Sequence, residues 1–486
     1  MIFKTNGFVH TDKSAHYVSE TSFHLDKDFF SLKFEFFGEG KELFFHVTDP
    51  SGLLRVQHQS ATGPSTVLLH EDETKSGMGT CPGKIQKGKW KITVFTYAPR
   101  FNRMWGKISF EVTVFEGKDD SDSRLENHIS WVKSDEMEKG NILLKSFEPE
   151  NINRLDEKWL SGDFHVHSML SDGSSTPSAL LDEGLSKGLD FFFISEHNIL
   201  ATGFAQKKGI IVFPSYEVTT AIGHFNACGL RYVTEGLLSQ GPAPAWGALE
   251  KLIKDFRGKG VLVSINHPFM APWEWQYNDL PLSWIDSIEV INDPYARNSG
   301  DASEKALTLL DILWNNGFRI TGIGGSDTHT KFSASKLGQP VTKVYAKPGS
   351  LFSMLEGVKK HRVEIFDALN CEFNYLSEGN VLLPGTDIGS FEDVVLEFSL
   401  SLDPGSDPVS LRVIENGNIV KEKKALPGEK CVIESVWKGN ANWIRCEMRD
   451  RNNRIRGYIN PLHRGKQKRT IEKWGDALDL LNSRFK

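Results

Sequence analysis

The chain is 486 residues long, with 39% apolar, 25% charged and 11% aromatic residues, and 57 Lys plus Arg against 63 Asp plus Glu leave a net charge of −6. A single core rarely grows past ~300 residues, so about three domains are expected, and the composition excludes long disordered stretches. The acidic excess argues against a dedicated nucleic-acid binder, and no run approaches the ~18 apolar residues of a membrane helix. Residues Met1–Gly7 carry no apolar leader core, and the five cysteines (Cys81, Cys228, Cys371, Cys431, Cys446) include no Cys-x-x-Cys pair. A disulfide framework or thiolate zinc site is therefore not expected, and a reducing, cytoplasmic setting is.

Residues 1–117 read as short strands (30–37, 43–47, 90–95, 108–114) separated by Gly38-Glu39-Gly40, Asp49-Pro50-Ser51-Gly52 and Pro82-Gly83, which predicts an N-terminal β-sandwich. Residues 118–154 open on a polar, charged run and are expected to be a linker. From 155 to 375 strands alternate with helices. The strands are expected at 163–167, 189–194, 210–213, 261–265, 288–291 and 320–323, and helices at 177–188, 245–256, 304–315 and 350–360. Thr176-Pro177 has the form of an N-cap followed by a proline in the first turn. Such alternation predicts βαβ units around a parallel sheet, open or closed into a barrel. Residues 380–460 return to strands alone, a second β-sandwich, and 461–486 form a basic helical tail whose Arg464–Arg469 run is expected to be solvated.

Of the 15 histidines, six (His165, His167, His197, His224, His267, His329) are the only ones between residues 129 and 360. Singly, each is more often a core or surface histidine than a ligand. Jointly they form a pattern. His165 and His167 are two apart on an expected strand, so both imidazoles share a face. His197, His267 and His329 follow the ends of later strands, which in an α/β sheet or barrel converge on one rim. Asp172, Glu217 and Asp327 accompany them, and nine nitrogen and oxygen donors without a thiolate suit two or three Zn²⁺, Mn²⁺ or Fe²⁺ ions with a carboxylate bridge.

The motifs His165-Val166-His167, Ser171-Asp172-Gly173, Glu196-His197-Asn198, Glu217, Gly223-His224-Phe225-Asn226, Asn266-His267-Pro268 and Ser326-Asp327-Thr328-His329 resemble those of the PHP (polymerase and histidinol phosphatase) superfamily. Glu217-Val218-Thr219-Thr220 and the flanking β-domains resemble its branch of metallohydrolases related to a carbamate-cleaving enzyme. The resemblance covers about residues 160–370. It implies a central distorted (β/α)7 barrel flanked by two β-sandwich domains, a trinuclear metal centre and phosphoester hydrolysis. It further implies one ion on His165, His167, Glu217 and Asp327, a second on Glu217, His224 and His267, and a third on Asp172, His197 and His329. Glu217, Asp327 and His224 are then expected at the reacting centre. Asn198 departs from the family, which commonly has an aspartate there, and Asp172 stands where some members use histidine.

Two cations ~3.5–4 Å apart lower the pKa of a shared water and stabilise attacking and leaving oxygens, so a metal-bridging hydroxide is the expected nucleophile towards a small phosphorylated molecule or nucleotide. Arg297 and Lys331 are the candidate phosphate-binding cations, and Glu196 is either an orienter of a ligand histidine or a paired surface acid. A carboxyl-ester, amide or carbamate hydrolase at the same centre is the alternative. A binding module with a purely structural barrel would be expected to lack part of the ligand set. Trp90, Trp105, Trp437 and Trp443 offer sugar-stacking faces but are more often core residues. The β-domains are expected to shield one barrel face or build a homo-oligomer interface.

Overall fold

A computed structural model describes residues 1–10, 18–39, 43–60, 65–96, 107–118, 128–132, 142–233, 246–296, 298–329, 336–389 and 392–484. The chain divides into two compact units. One comprises Met1–Phe147, His165–Val261 and Thr328–Ser333, and the other Glu148–Phe164, Leu262–Asp327 and Ala334–Lys486.

In the first unit, two four-stranded antiparallel sheets share one core. The first runs Phe3–His10, Lys107–Glu116, Ser31–Gly38, Ser65–His70, and the second Val18–Leu25, Gly88–Phe95, Phe44–Thr48, Leu54–Gln59. Alternate residues point inward, so Phe34 and Phe36 from one sheet meet Phe45, Trp90 and Ile92 from the other. Residues 118–154, expected as a linker, carry short strands at His128–Ser130 and Ile142–Leu143, paired with Gly203–Ala205 and Tyr232–Val233. Trp131, Val132, Ile142 and Leu144 are buried there, a hydrophobic anchoring that polar composition at the start of the segment conceals.

The rest of the first unit holds the parallel pair Phe191–Ile194 and Ile211–Pro214, the antiparallel hairpin Glu217–Thr220/Gly223–Cys228, and helices Pro177–Ser186 and Trp246–Gly258. The first helix starts where Thr176 Oγ1 accepts from Ala179 N at 3.3 Å. The hairpin is antiparallel because only two residues join its strands, too few for a parallel crossover.

In the second unit, Leu262–Ile265, Ser287–Asn292 and Thr321–Gly325 pair in parallel. A separate run is antiparallel throughout: Lys158–Val166, Val341–Ala346, Val363–Phe366, Ile455–His463, Trp443–Arg449, Val409–Glu415, Asn418–Ala425. Pairing in the βα segment is therefore mixed rather than uniformly parallel. The last three strands of that run share a core with the sheet Asn380–Leu382, Cys371–Ser377, Val394–Leu402, Lys430–Trp437, built on Phe398, Leu400, Leu411, Trp437 and Met448. The C-terminal β-region is thus continuous with strands upstream of residue 375, joined through Ile365 opposite Tyr458.

A buried ion ladder fastens helix Ser299–Asn315 to strand Trp443–Arg449. Arg445 makes a two-pronged contact with Asp311 (2.8 and 2.9 Å) and reaches Glu447 at 2.7 Å, while Arg449 bonds Glu447 at 2.8 Å and also meets Glu304. The basic run is not uniformly solvated. Arg464 is fully buried over the Trp437 ring at 4.3 Å and donates to Glu392 O and Trp437 O. Trp90, Trp437 and Trp443 are core residues, which removes them as sugar-stacking faces, and Trp105 lies outside the described residues. The five cysteines are buried and form no disulfide. Among the described residues no helix is long and apolar enough to cross a membrane.

Candidate metal centre

His165 lies on strand Lys158–Val166 and His167 one residue past it, both fully buried, with their Nε2 atoms 3.1 Å apart. The strand's period of two puts them on the same face. The chain beyond is held by His167 N donating to Thr328 O at 3.2 Å, and Val166 N donates to Ser195 Oγ at 2.9 Å. Phe191–Ile194, an all-apolar strand, leads through Ser195 and Glu196 to His197. In the hairpin, Thr219 stands opposite His224 and Glu217 opposite Asn226. Glu217, Thr219 and His224 therefore share one face, because facing residues of an antiparallel pair project together.

Four imidazoles surround the Glu217 carboxylate. Oε1 lies 3.3 Å from His165 Nε2 and 3.2 Å from His224 Nδ1; Oε2 lies 2.5 Å from His197 Nδ1 and 3.6 Å from His167 Nε2. Burial alone would raise the Glu217 carboxyl, but His197, His165 and His224 hold it well below the usual carboxylate range. A second cluster adjoins the first. Asp172 Oδ1 is 3.6 Å from His197 Nε2 and 3.3 Å from His329 Nε2, and the His167 ring stacks on His197 and His329 at 4.3 and 4.2 Å. Burial opposes ionisation of Asp172 too, yet His197, His329 and His167 keep it ionised. His197 loses solvation by burial, and Glu217 and Asp172 more than offset this, raising its pKa.

The donors fit divalent ions. One ligand atom each from His167, Asp172, His197 and His329 lies within 4.8 Å of the others, and the same holds for His197, Glu217 and His224. All are nitrogen or oxygen, which suits Zn²⁺, Mn²⁺ or Fe²⁺. His197 turns Nδ1 to Glu217 and Nε2 to Asp172 and His329. Seven of the nine expected ligands thus come together in the first unit. The remaining two, His267 and Asp327, pair within the second unit at 3.9 Å, Nε2 to Oδ2. Both have left-handed backbones (φ +29° and +52°), a conformation that non-glycine residues hold only where surroundings enforce it. Arg297 and Lys331 lie outside the described residues.

Further residues support these groups, and of them Glu289 and the role of Thr219 were not singled out in sequence. Thr219 Oγ1 lies 2.7 Å from His197 Nδ1, and Glu289 accepts from His267 N and Asn292 Nδ2, both at 2.8 Å. Asn198, in place of an aspartate, exchanges two hydrogen bonds with the Thr219 backbone at 3.0 and 3.1 Å. Glu196 is not a surface acid. It is fully buried and accepts from the backbone N–H and the hydroxyl of both Ser168 and Ser171, the residues between His167 and Asp172. Burial pushes its carboxyl up to about 7 against the pull of those bonds. A Ser-x-x-Ser spacing after His-x-His was the available signal, a weak one.

No family model and no curated protein matches the chain. Solved structures similar to it include a two-domain protein from Bacteroides vulgatus containing a predicted PHP-like metal-dependent phosphoesterase. It is 17% identical, with a TM-score of 0.35 over 65% of this chain and 97% of that one. A protein from Bifidobacterium adolescentis described as a metal-dependent phosphoesterase is 14% identical, with a TM-score of 0.25 over 36% of this chain and 90% of that one. An amidohydrolase from Chromobacterium violaceum with bound sulfate and no metal is 13% identical, with a TM-score of 0.26 over 42% of this chain and 97% of that one.

Proposed function

We propose that the chain is a metal-dependent hydrolase that cleaves a phosphoester of a small molecule or nucleotide. The carrying observation is the Glu217 carboxylate, buried among four imidazoles and adjoining the Asp172–His197–His329 cluster. His267 and Asp327 as further ligands, and the barrel expected for residues 155–375, are carried over from the family resemblance. Two or three divalent ions, when bound, would supply Lewis acidity and acidify a water for attack.

The chain's own groups prepare that chemistry. Glu217 and Asp172 stay ionised in spite of burial and so offer two negative charges to cations. Thr219 orients His197, and Asn198 ties the turn after His197 to strand Glu217–Thr220. Burial of His165, His167 and Glu217 keeps bulk water from their donor atoms, which strengthens electrostatics there. Asp172, His197 and His329 are partly exposed and form the face open to a substrate.

The test is hydrolysis by protein reconstituted with Mn²⁺, Zn²⁺ or Fe²⁺ of an aryl phosphomonoester, an aryl phosphodiester, an aryl acetate and an aryl carbamate, with His165→Ala as control. Phosphate release or phosphodiester cleavage that the variant loses is the expected result. Acetate or carbamate cleavage alone would replace phosphoesters with acyl substrates. Equal turnover by metal-free His165→Ala protein would overturn the metallohydrolase itself.

A further inference from the structure

We propose that Gln57, a residue of the N-terminal sandwich, is a positioning residue of the metal centre, acting through the backbone of Leu200 on the segment that carries His197. The inference rests on the metal centre proposed above. It also gives the N-terminal β-domain a task within the site.

Gln57 is buried within strand Leu54–Gln59. Its Nε2 donates to Leu200 O at 3.1 Å and its Oε1 accepts from Leu200 N at 3.1 Å, so one side-chain amide pairs with a backbone unit as a strand rung would. Two residues on, Thr202 N donates to Met78 O at 2.8 Å, and Thr202 Oγ1 lies 2.7 Å from Met78 O and 2.5 Å from Thr80 O. At the other end of the segment Asn198, with φ +49°, donates from its backbone to Glu217 O at 2.9 Å. Residues 198–202 are therefore pinned on one side by the strand bearing Glu217 and on the other by the sandwich.

The same part of the sandwich reaches the second metal-bearing loop. Gly79 O accepts from Gln57 N at 2.8 Å, and a Cβ on Gly79 would stand 2.5 Å from Gln57 O and 2.9 Å from Leu170 Cδ1. Only a glycine permits that approach. Leu170 is buried two residues before Asp172 in the loop that Glu196 clamps. One turn of the sandwich thus abuts the segments that set Asp172 and His197, which lie 3.6 Å apart.

Burying an amide at this junction is unfavourable unless both its ends are bonded. The two bonds to Leu200 satisfy it and define a single register, which an apolar contact would leave free to slide. Leu200 is three residues from His197, a span of at most ~10 Å, so a shift at one is transmitted to the other.

The test compares wild type with Gln57→Leu and the near-isosteric Thr202→Val in the full chain, measuring Zn²⁺ and Mn²⁺ affinity by chelator competition and hydrogen exchange of peptides covering 168–173 and 196–202. Val94→Ala, which opens a cavity in the sandwich core away from these loops, controls for stability. Gln57→Leu is expected to weaken ion binding by about 10- to 100-fold, the usual effect of losing a group that orients a ligand, and to speed exchange in both peptides. Thr202→Val is expected to move both in the same direction by less, and Val94→Ala to leave affinity unchanged. Wild-type affinity in Gln57→Leu, or an equal loss in Val94→Ala, overturns the proposal. A wild-type chain that takes up no ion overturns the metal centre as well, so the two failures are distinct.

Discussion

His197 Nδ1 lies 2.5 Å from Glu217 Oε2 and 2.7 Å from Thr219 Oγ1, so one ring nitrogen meets a carboxylate and a hydroxyl that project from the same strand face. This relationship organises the centre. The alternation of a single strand delivers a buried carboxylate and a hydroxyl to the same histidine nitrogen.

Removing the Glu217 charge is expected to empty the centre. In Glu217→Gln the four imidazoles face a neutral amide whose nitrogen cannot ligate, and metal content should fall to below half that of wild type by elemental analysis, with turnover lost. An unchanged ion-to-protein ratio would exclude Glu217 as a ligand.

Removing ions should lower stability of the whole chain. Ligands bind the folded form, so free ion at ~100 times its dissociation constant stabilises by about 2.7 kcal/mol. Chelation is expected to lower Tm, and Zn²⁺ or Mn²⁺, but not Mg²⁺ at equal concentration, to restore it. A Tm indifferent to chelator would contradict a centre assembled from His165, His167, Asp172, His197, Glu217, His224 and His329.

Glu196→Ala should cost about 3–5 kcal/mol in denaturant unfolding, because four donors from Ser168 and Ser171 lose their buried acceptor. An effect below about 1 kcal/mol would show that the loop finds other partners.

Arg445→Met should be among the most destabilising single changes outside the metal centre. It strands the buried carboxylate of Asp311 and leaves Glu447 with Arg449 alone, and breaking such a network from one side typically costs about 3–5 kcal/mol. Retained activity in whatever fraction stays folded would mark the ladder as structural.

Acid sensitivity has a locatable contribution at His361. Burial depresses its pKa from 6.5 to about 3, with His463 and Arg319 adding to the effect, while its Nδ1 lies 2.7 Å from Thr321 Oγ1. The unfolded chain binds this proton more readily, so the folded state loses stability as pH falls from about 6.5 towards 3 and is unaffected above. His361→Gln should remove that dependence. Its unfolding free energy should decline less than that of wild type, by about 1.4 kcal/mol per pH unit between pH 6 and 4. Parallel pH profiles would contradict a neutral, buried His361.

Much of the candidate site could be read from residue order. Histidine pairs, strand-end positions and accompanying carboxylates are local features, and a period of two places His165 and His167 together whatever surrounds them. Long-range relations were legible only in part, since the family resemblance and not the chain's periodicity grouped Asp172, His197 and His329. Asp172, His197 and His329 meet only because three segments converge, and nothing near Gln57 in sequence announces that its amide bonds Leu200, 143 residues away. Glu196 reads in sequence as either an orienter of a ligand histidine or a paired surface acid, and its clamp on Ser168 and Ser171 emerges only from the fold. The strands at 128–130 and 142–143 escaped notice because they are short and gain their burial from distant partners. Periodicity and donor chemistry are properties of the chain itself. Which donors face one another, which acids lose water and where the N-terminal sandwich touches the site depend on non-local packing, and tertiary structure alone decides them.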